Sequence, residues 1–243
     1  MYTFRSRIRY SETGDLNRLK LHSIVNYLQD CSTFQSEELG KGIDFLKRSG
    51  KVWLLNAWQI DIIDIEETRL GNEIEIGTWM YGYRGTLANR NFIINNSKGK
   101  RVVSADSSWV LCDLNTMSPI RIEESDTKDY PCEPKEDMEY LGRKISLNRE
   151  YINIEEKSSV FVTGDMIDTN HHMNNASYVM VAENCIPKDI YISRIRVEYK
   201  KSAMRGDELK PVVKEYKEGY IIEIKSAKDD IFAVVEFTKK GDS

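Results

Sequence analysis

This chain of 243 residues holds only three histidines, four cysteines and five prolines. The cysteines, Cys31, Cys112, Cys132 and Cys185, are far apart and form no CxxC pair. That spacing argues against a thiolate metal site and a disulfide framework, and free thiols in a reducing compartment are the expectation. No apolar run approaches the ~20 residues of a membrane span. The opening stretch, MYTFRSRIRY, offers no apolar segment for a signal peptide and already reads as a strand. A cytoplasmic protein with no metal site is therefore expected. A net charge of only −4 argues against general nucleic-acid binding, while leaving room for a local basic patch.

What is there is enough length for one large domain or two of about 120 residues, either of which can bury a core. Residues 2–10 alternate like a strand, and a long helical stretch spans 20–40 with Leu21, Ile24, Leu28, Cys31 and Phe34 on one stripe. A short helix at 43–50 and four strand-like runs follow, at 52–65, 73–83, 86–95 and 101–112. Residues 113–157 break the pattern, with dense charge and Pro119, Pro131 and Pro134. This stretch reads as a linker containing a short helix at 136–142. The order then repeats: a strand at 158–163, a polar loop, a helix at 173–186, and strands near 190–200, 208–216, 219–227 and 231–239. The pattern predicts an α+β fold of two similar units, each a curled antiparallel sheet around one helix. The expected boundaries are 1–115, a linker at 116–157, and 158–243.

Only the second half carries a chemical cluster. Residues 161–187, FVTGDMIDTNHHMNNASYVMVAENCIP, hold two of the three histidines and pack Asp165, Asp168, Asn170, Asn174 and Asn175 into one short run. Polar groups this dense between apolar runs must be solvated, capping or functional. A single Asp or Asn before a helix is a cap as often as not. Three polar types at alternating positions, Asp168, Asn170 and His172, shift the balance, because alternate residues of an extended loop share one side. A carboxylate, an amide and an imidazole could then converge on one ligand. The asymmetry between halves suggests that one does chemistry and the other mainly binds.

The run DTNHHMNNASY at 168–178 resembles the D-x-N-x-H-x-N-N-x-x-Y motif of acyl-acyl carrier protein (acyl-ACP) thioesterases. In the first half LKLHSIVNYLQDCS, LGKG, WLLNAWQIDI, IGTW, NRNFII and SADSSWVL fall in the family's order, so the resemblance covers roughly residues 2–239. It implies two tandem hotdog domains, hydrolysis of fatty acyl thioesters on acyl carrier protein, and no cofactor. The motif places the catalytic aspartate at Asp168, the asparagine at Asn170 and the histidine at His172. His171 sits where the family has glutamine or another polar residue, and is given no catalytic role. The family's further glutamate falls on Ser202, which cannot serve as a carboxylate base. Glu198 lies nearby in sequence with its direction open. Ser202 is thus at most a supporting residue.

Asp168 could act as a nucleophile or as a base toward water, and His172 could activate water or protonate the leaving thiolate. Cys185, on the apolar stripe of the second helix, reads as a structural thiol. An acidic carrier protein would dock on basic residues, for which Arg194, Arg196, Lys200, Lys201 and Arg205 are the candidates, against an ordinary solvated charge cluster. Two alternatives remain at this stage: a non-catalytic acyl- or carrier-binding protein, favoured by Ser202, and a hotdog thioesterase acting on acyl-coenzyme A. A homodimer is left open.

Overall fold

A computed structural model describes residues 1–241. The chain divides into two compact units: Met1–Asn56 with Ile63–Leu141, and Ala57–Ile62 with Gly142 onward. Each is an antiparallel sheet with a helix on one face and an irregular strap on the other.

In the first unit the strands are β1 (Tyr2–Arg7), the first half of β2 (Lys51–Ile62), β3 (Glu73–Arg84), β4 (Leu87–Asn96) and β5 (Arg101–Asp113). β1, β3, β4 and β5 neighbour one another in that order. The β3–β4 hairpin closes through Gly85 and Thr86, and Gly85 takes the positive φ of 65° that a two-residue turn requires. Helix α1 (Leu21–Glu38) buries Ile24, Val25, Leu28 and Cys31 against the sheet. The expected stripe ended in Phe34, but Phe34 is exposed and stacks edge-on with Phe4. Its place on the buried face is taken by Gln35, which accepts from the buried Arg90 guanidinium. A polar pair inside the core leaves no mark in apolar periodicity. Helix α2 (Ile43–Arg48) and the short α3 (Glu124–Thr127) complete the unit.

Residues 136–142 are not helical, contrary to expectation. The Glu136 amide donates to Asn91 Oδ1 at 3.1 Å, and the Tyr140 hydroxyl donates to the same oxygen at 3.1 Å. Trp79 Nε1 donates to the Pro134 carbonyl at 2.8 Å. These bonds to the sheet replace the intrahelical ladder, and they make the stretch a strap rather than a free linker.

The second unit runs in the order β2, β8 (Ile192–Tyr199), β11 (Ile231–Lys239), β10 (Gly219–Lys225), β9 (Glu208–Tyr216), β6 (Asn153–Glu156), with β7 (Val160–Phe161) also on β9. The β2 contribution is Ala57–Asp61 against β8. Ile195, Val197, Val235 and Phe237 are wholly buried on one face. The opposite face carries Arg196, Glu236 and Tyr216, joined by Arg196 Nη1 to Glu236 at 2.8 Å and Tyr216 to Glu236 at 3.0 Å. The strap 142–151 covers them: Arg196 donates to the Gly142 and Lys144 carbonyls, and Ile145 packs on Tyr216, Ile221 and Val234. Helix α4 (Asn175–Glu183) is shorter than the expected 173–186, because Asn174 is its N-cap, with Oδ1 accepting the Ala176 amide at 2.9 Å.

Candidate active site

The polar loop before α4 is a closed turn. Asp168 donates its amide to the His172 carbonyl at 2.8 Å, and His171 donates to the Asp168 carbonyl at 3.1 Å. Inside this ring Asp168 Oδ1 accepts the Asn170 amide at 2.8 Å and the His172 amide at 3.3 Å. His171 takes a left-handed φ of 62°, which reverses the chain. Ile167 and Met173 then pair as an antiparallel bridge, and Asn174 donates to the Met166 carbonyl. Asp168, Asn170 and His172 therefore lie together, but on a turn rather than on one side of an extended loop. Asp168 and His172 are half-buried, while Asn170 and His171 are exposed.

The turn is fastened to two other elements. The Met173 amide donates to the Ala203 carbonyl at 2.8 Å, and the Ala203 amide donates to the Tyr178 hydroxyl of α4 at 2.8 Å. Tyr199 at the end of β8 donates its hydroxyl to the Asn175 carbonyl at 3.0 Å and meets the Tyr178 ring edge-on at 5.6 Å. Ser202 is exposed and precedes the fastened Ala203. The direction of Glu198 is settled by the strap: its Oε2 accepts the Ile145 amide and its Oε1 pairs with Lys200, on the face away from Tyr199 and α4. No carboxylate on β8 substitutes for the family's glutamate. Tyr199 escaped the sequence reading, since strand periodicity marks it only as a core aromatic.

The basic set is split. Arg194 forms a two-pronged pair with Asp61, at 2.5 and 3.0 Å, and Arg196 is buried on Glu236. These two are structural, correcting the expectation that they present a docking face. β-strand alternation puts both on one face, but each is committed to a carboxylate there, Arg194 to Asp61 and Arg196 to Glu236. Lys200, Lys201 and Arg205 are exposed, with Lys201 on Asp230 at 3.0 Å. Cys185 donates its thiol to the Val181 carbonyl at 3.2 Å, and burial pushes its pKa up, as suits a structural thiol. Among the described residues no group of three or more His, Cys, Asp or Glu side chains is arranged to hold a metal ion. No helix among them is long and apolar enough to cross a membrane.

The acyl-ACP thioesterase N-terminal domain matches residues 1–130, and the acyl-ACP thioesterase C-terminal domain matches residues 152–238. The chain belongs to the acyl-ACP thioesterase family. Each unit of this acyl-ACP thioesterase family member is a hotdog domain, with the helix long only in the first. Over 98% of this chain and 97% of the other, the fold superposes on an acyl-ACP thioesterase from Bacteroides thetaiotaomicron with a TM-score of 0.85 at 21% identity. The 12:0-ACP thioesterase from Umbellularia californica gives 0.79 at 15% identity, covering 99% of this chain and 98% of that one. In sequence the chain is 20% identical over 218 residues to the chloroplastic oleoyl-acyl carrier protein thioesterase 2 of Arabidopsis thaliana, matching 82% of this chain and 59% of the relative. The chain thus spans about three-fifths of the length of the curated relatives it matches.

Proposed function

We propose that this protein hydrolyses fatty acyl thioesters on acyl carrier protein, releasing the free fatty acid and the carrier thiol. The observation that carries this reading is the closed turn that holds Asp168, Asn170 and His172 together, in the unit matched by the family's C-terminal domain. Asp168 Oδ1 is occupied by two backbone amides, so the carboxylate is fixed in plane and its second oxygen is the one to accept a proton from water. His172 shares the activation of that water and returns a proton to the leaving thiolate. Asn170, exposed on the same turn, orients the carbonyl or the water. Ser202 supports this set at most through a neutral hydrogen bond, worth about 0.5–1.5 kcal/mol.

The first hotdog unit holds the acyl chain and the second performs the chemistry, in a cytoplasmic enzyme of fatty acid synthesis. The carrier docks on the exposed Lys200, Lys201 and Arg205. The relatives' names, a 12:0-ACP and an oleoyl-ACP thioesterase, support this substrate class. The decisive assay offers the purified protein a panel of carrier-protein and coenzyme A thioesters of graded chain length and measures free fatty acid. Release from the carrier thioesters in preference to the coenzyme A esters is expected. Preference for coenzyme A esters would make it an acyl-coenzyme A thioesterase, and binding without release would make it a carrier- or acyl-binding protein.

A further inference from the structure

We propose that Tyr178 is a positioning residue of this site, its hydroxyl holding the Ser202–Ala203 segment against Met173, at the end of the turn that carries His172. The inference rests on the hydrolase reading above. Both main-chain polar groups of Ala203 are committed: the amide to Tyr178 and the carbonyl to the Met173 amide, each at 2.8 Å. Ala203 is wholly buried and Tyr178 nearly so. The bonded pair sets the 202–203 segment against Met173, the residue that follows His172 in the turn. One end of the arrangement is the turn, the other is α4, and the phenol oxygen is the joint between them. The ring is held in turn by Tyr199, whose own hydroxyl donates to the Asn175 carbonyl.

The joint is chemically steady. Burial pushes Tyr178 up to about 12, the Ala203 amide opposes the rise, and the Asp207 and Asp168 carboxylates add to it. The phenol therefore stays neutral at any working pH, accepting from Ala203 while keeping its own proton. Without that oxygen the buried Ala203 amide is left unsatisfied, and the segment shifts until water or another acceptor reaches it. A misplacement of about 1 Å beside reacting groups lowers the rate without weakening substrate binding.

Tyr178→Phe keeps the ring and its contact with Tyr199 and removes only the oxygen. At equal folded content kcat should fall by about tenfold or more with KM within about twofold. Backbone amide exchange, read by NMR, should accelerate at Ala203 and Met173. Tyr199→Phe is the control, because it removes the hydroxyl of the ring packed on Tyr178, which bonds the Asn175 carbonyl and not the 202–203 segment. It should lower thermal stability comparably and leave kcat in place. The proposal is overturned if Tyr178→Phe retains full kcat, or if Tyr199→Phe loses as much. It is also overturned if the Ala203 amide of the unsubstituted protein exchanges as fast as an open loop. Should the unsubstituted protein hydrolyse no thioester, the hydrolase reading fails on its own, and the exchange rates still decide whether Tyr178 fixes the segment.

Discussion

Asp168 has two separable jobs. Its Oδ1 closes the turn by accepting the Asn170 and His172 amides, and its charge is available for proton transfer. Asparagine keeps the first job, since its amide oxygen accepts the same two N–H groups, and abolishes the second. Asp168→Asn should therefore melt within a few degrees of the unsubstituted protein and lose at least a hundredfold in kcat. Asp168→Ala should lose the same activity and also stability, by about 0.5–2 kcal/mol, through the orphaned turn amides. Thermal melts and hydrolysis rates measured on both variants check this. Full activity in Asp168→Asn would reduce the aspartate to a turn-former. The positive φ at His171 completes the residue-scale account: a left-handed residue reverses the chain, and the imidazole that follows it, not the one that makes the turn, is half-buried.

At the scale of elements, the strands and α1 were legible because their side chains obey a period of two or 3.6 against one buried face. The polar loop carries Asp168, Asn170 and His172 as a closed turn and not an extended run, and nothing local in the sequence shows that Asp168 bonds the amides two and four residues on. The straps were missed for the same reason: their bonds are to Asn91, Met80, Glu198 and Glu236, far away in sequence. The strap over the first sheet also makes a titration prediction. Asp106 on β5 is half-buried, and burial raises its pKa to about 6, against the opposing Tyr81 hydroxyl, Lys135 ammonium and Ser107 amide. A carboxyl raised in the fold above its unfolded value favours folding while protonated. That contribution is full below the unfolded value of 3.8 and is lost as pH rises through about 6. Asp106→Asn, which still accepts from Tyr81, should be more stable than the unsubstituted protein at pH 7 by on the order of 2 kcal/mol, with the gain vanishing near pH 4. Denaturant melts of the pair across that range test it; a gain independent of pH would show that burial of the charge is not the cause.

At the scale of the whole molecule, one plan has been used twice and made unequal. The first unit has a helix of 18 residues and the second a helix of nine, and the polar turn precedes only the shorter one. A long helix over a sheet offers length along which an acyl chain can lie, and each buried methylene adds about 0.8 kcal/mol. A two-carbon difference is then worth roughly tenfold or more in selectivity. Ala105 sits in that layer: it pairs with Phe92, is wholly buried, and shares its face with Ser107, the register partner of Arg90, which reaches Gln35 on α1. On the proposal that the first unit holds the acyl chain in this layer, Ala105→Leu adds bulk in its path. Overpacking should cost about 1–3 kcal/mol of stability, so rates must be compared at equal folded content, with Ala105→Val as the milder step. The expected outcome is a product profile moved toward shorter fatty acids, with the rate on the shortest accepted thioester preserved, because the turn at Asp168 lies in the other unit. Chromatography of the acids released from a mixed pool of carrier thioesters reads this directly. A uniform loss of rate at every chain length, with the profile unmoved, would mean that the first unit does not measure the chain and that selection belongs to the unit that carries the chemistry.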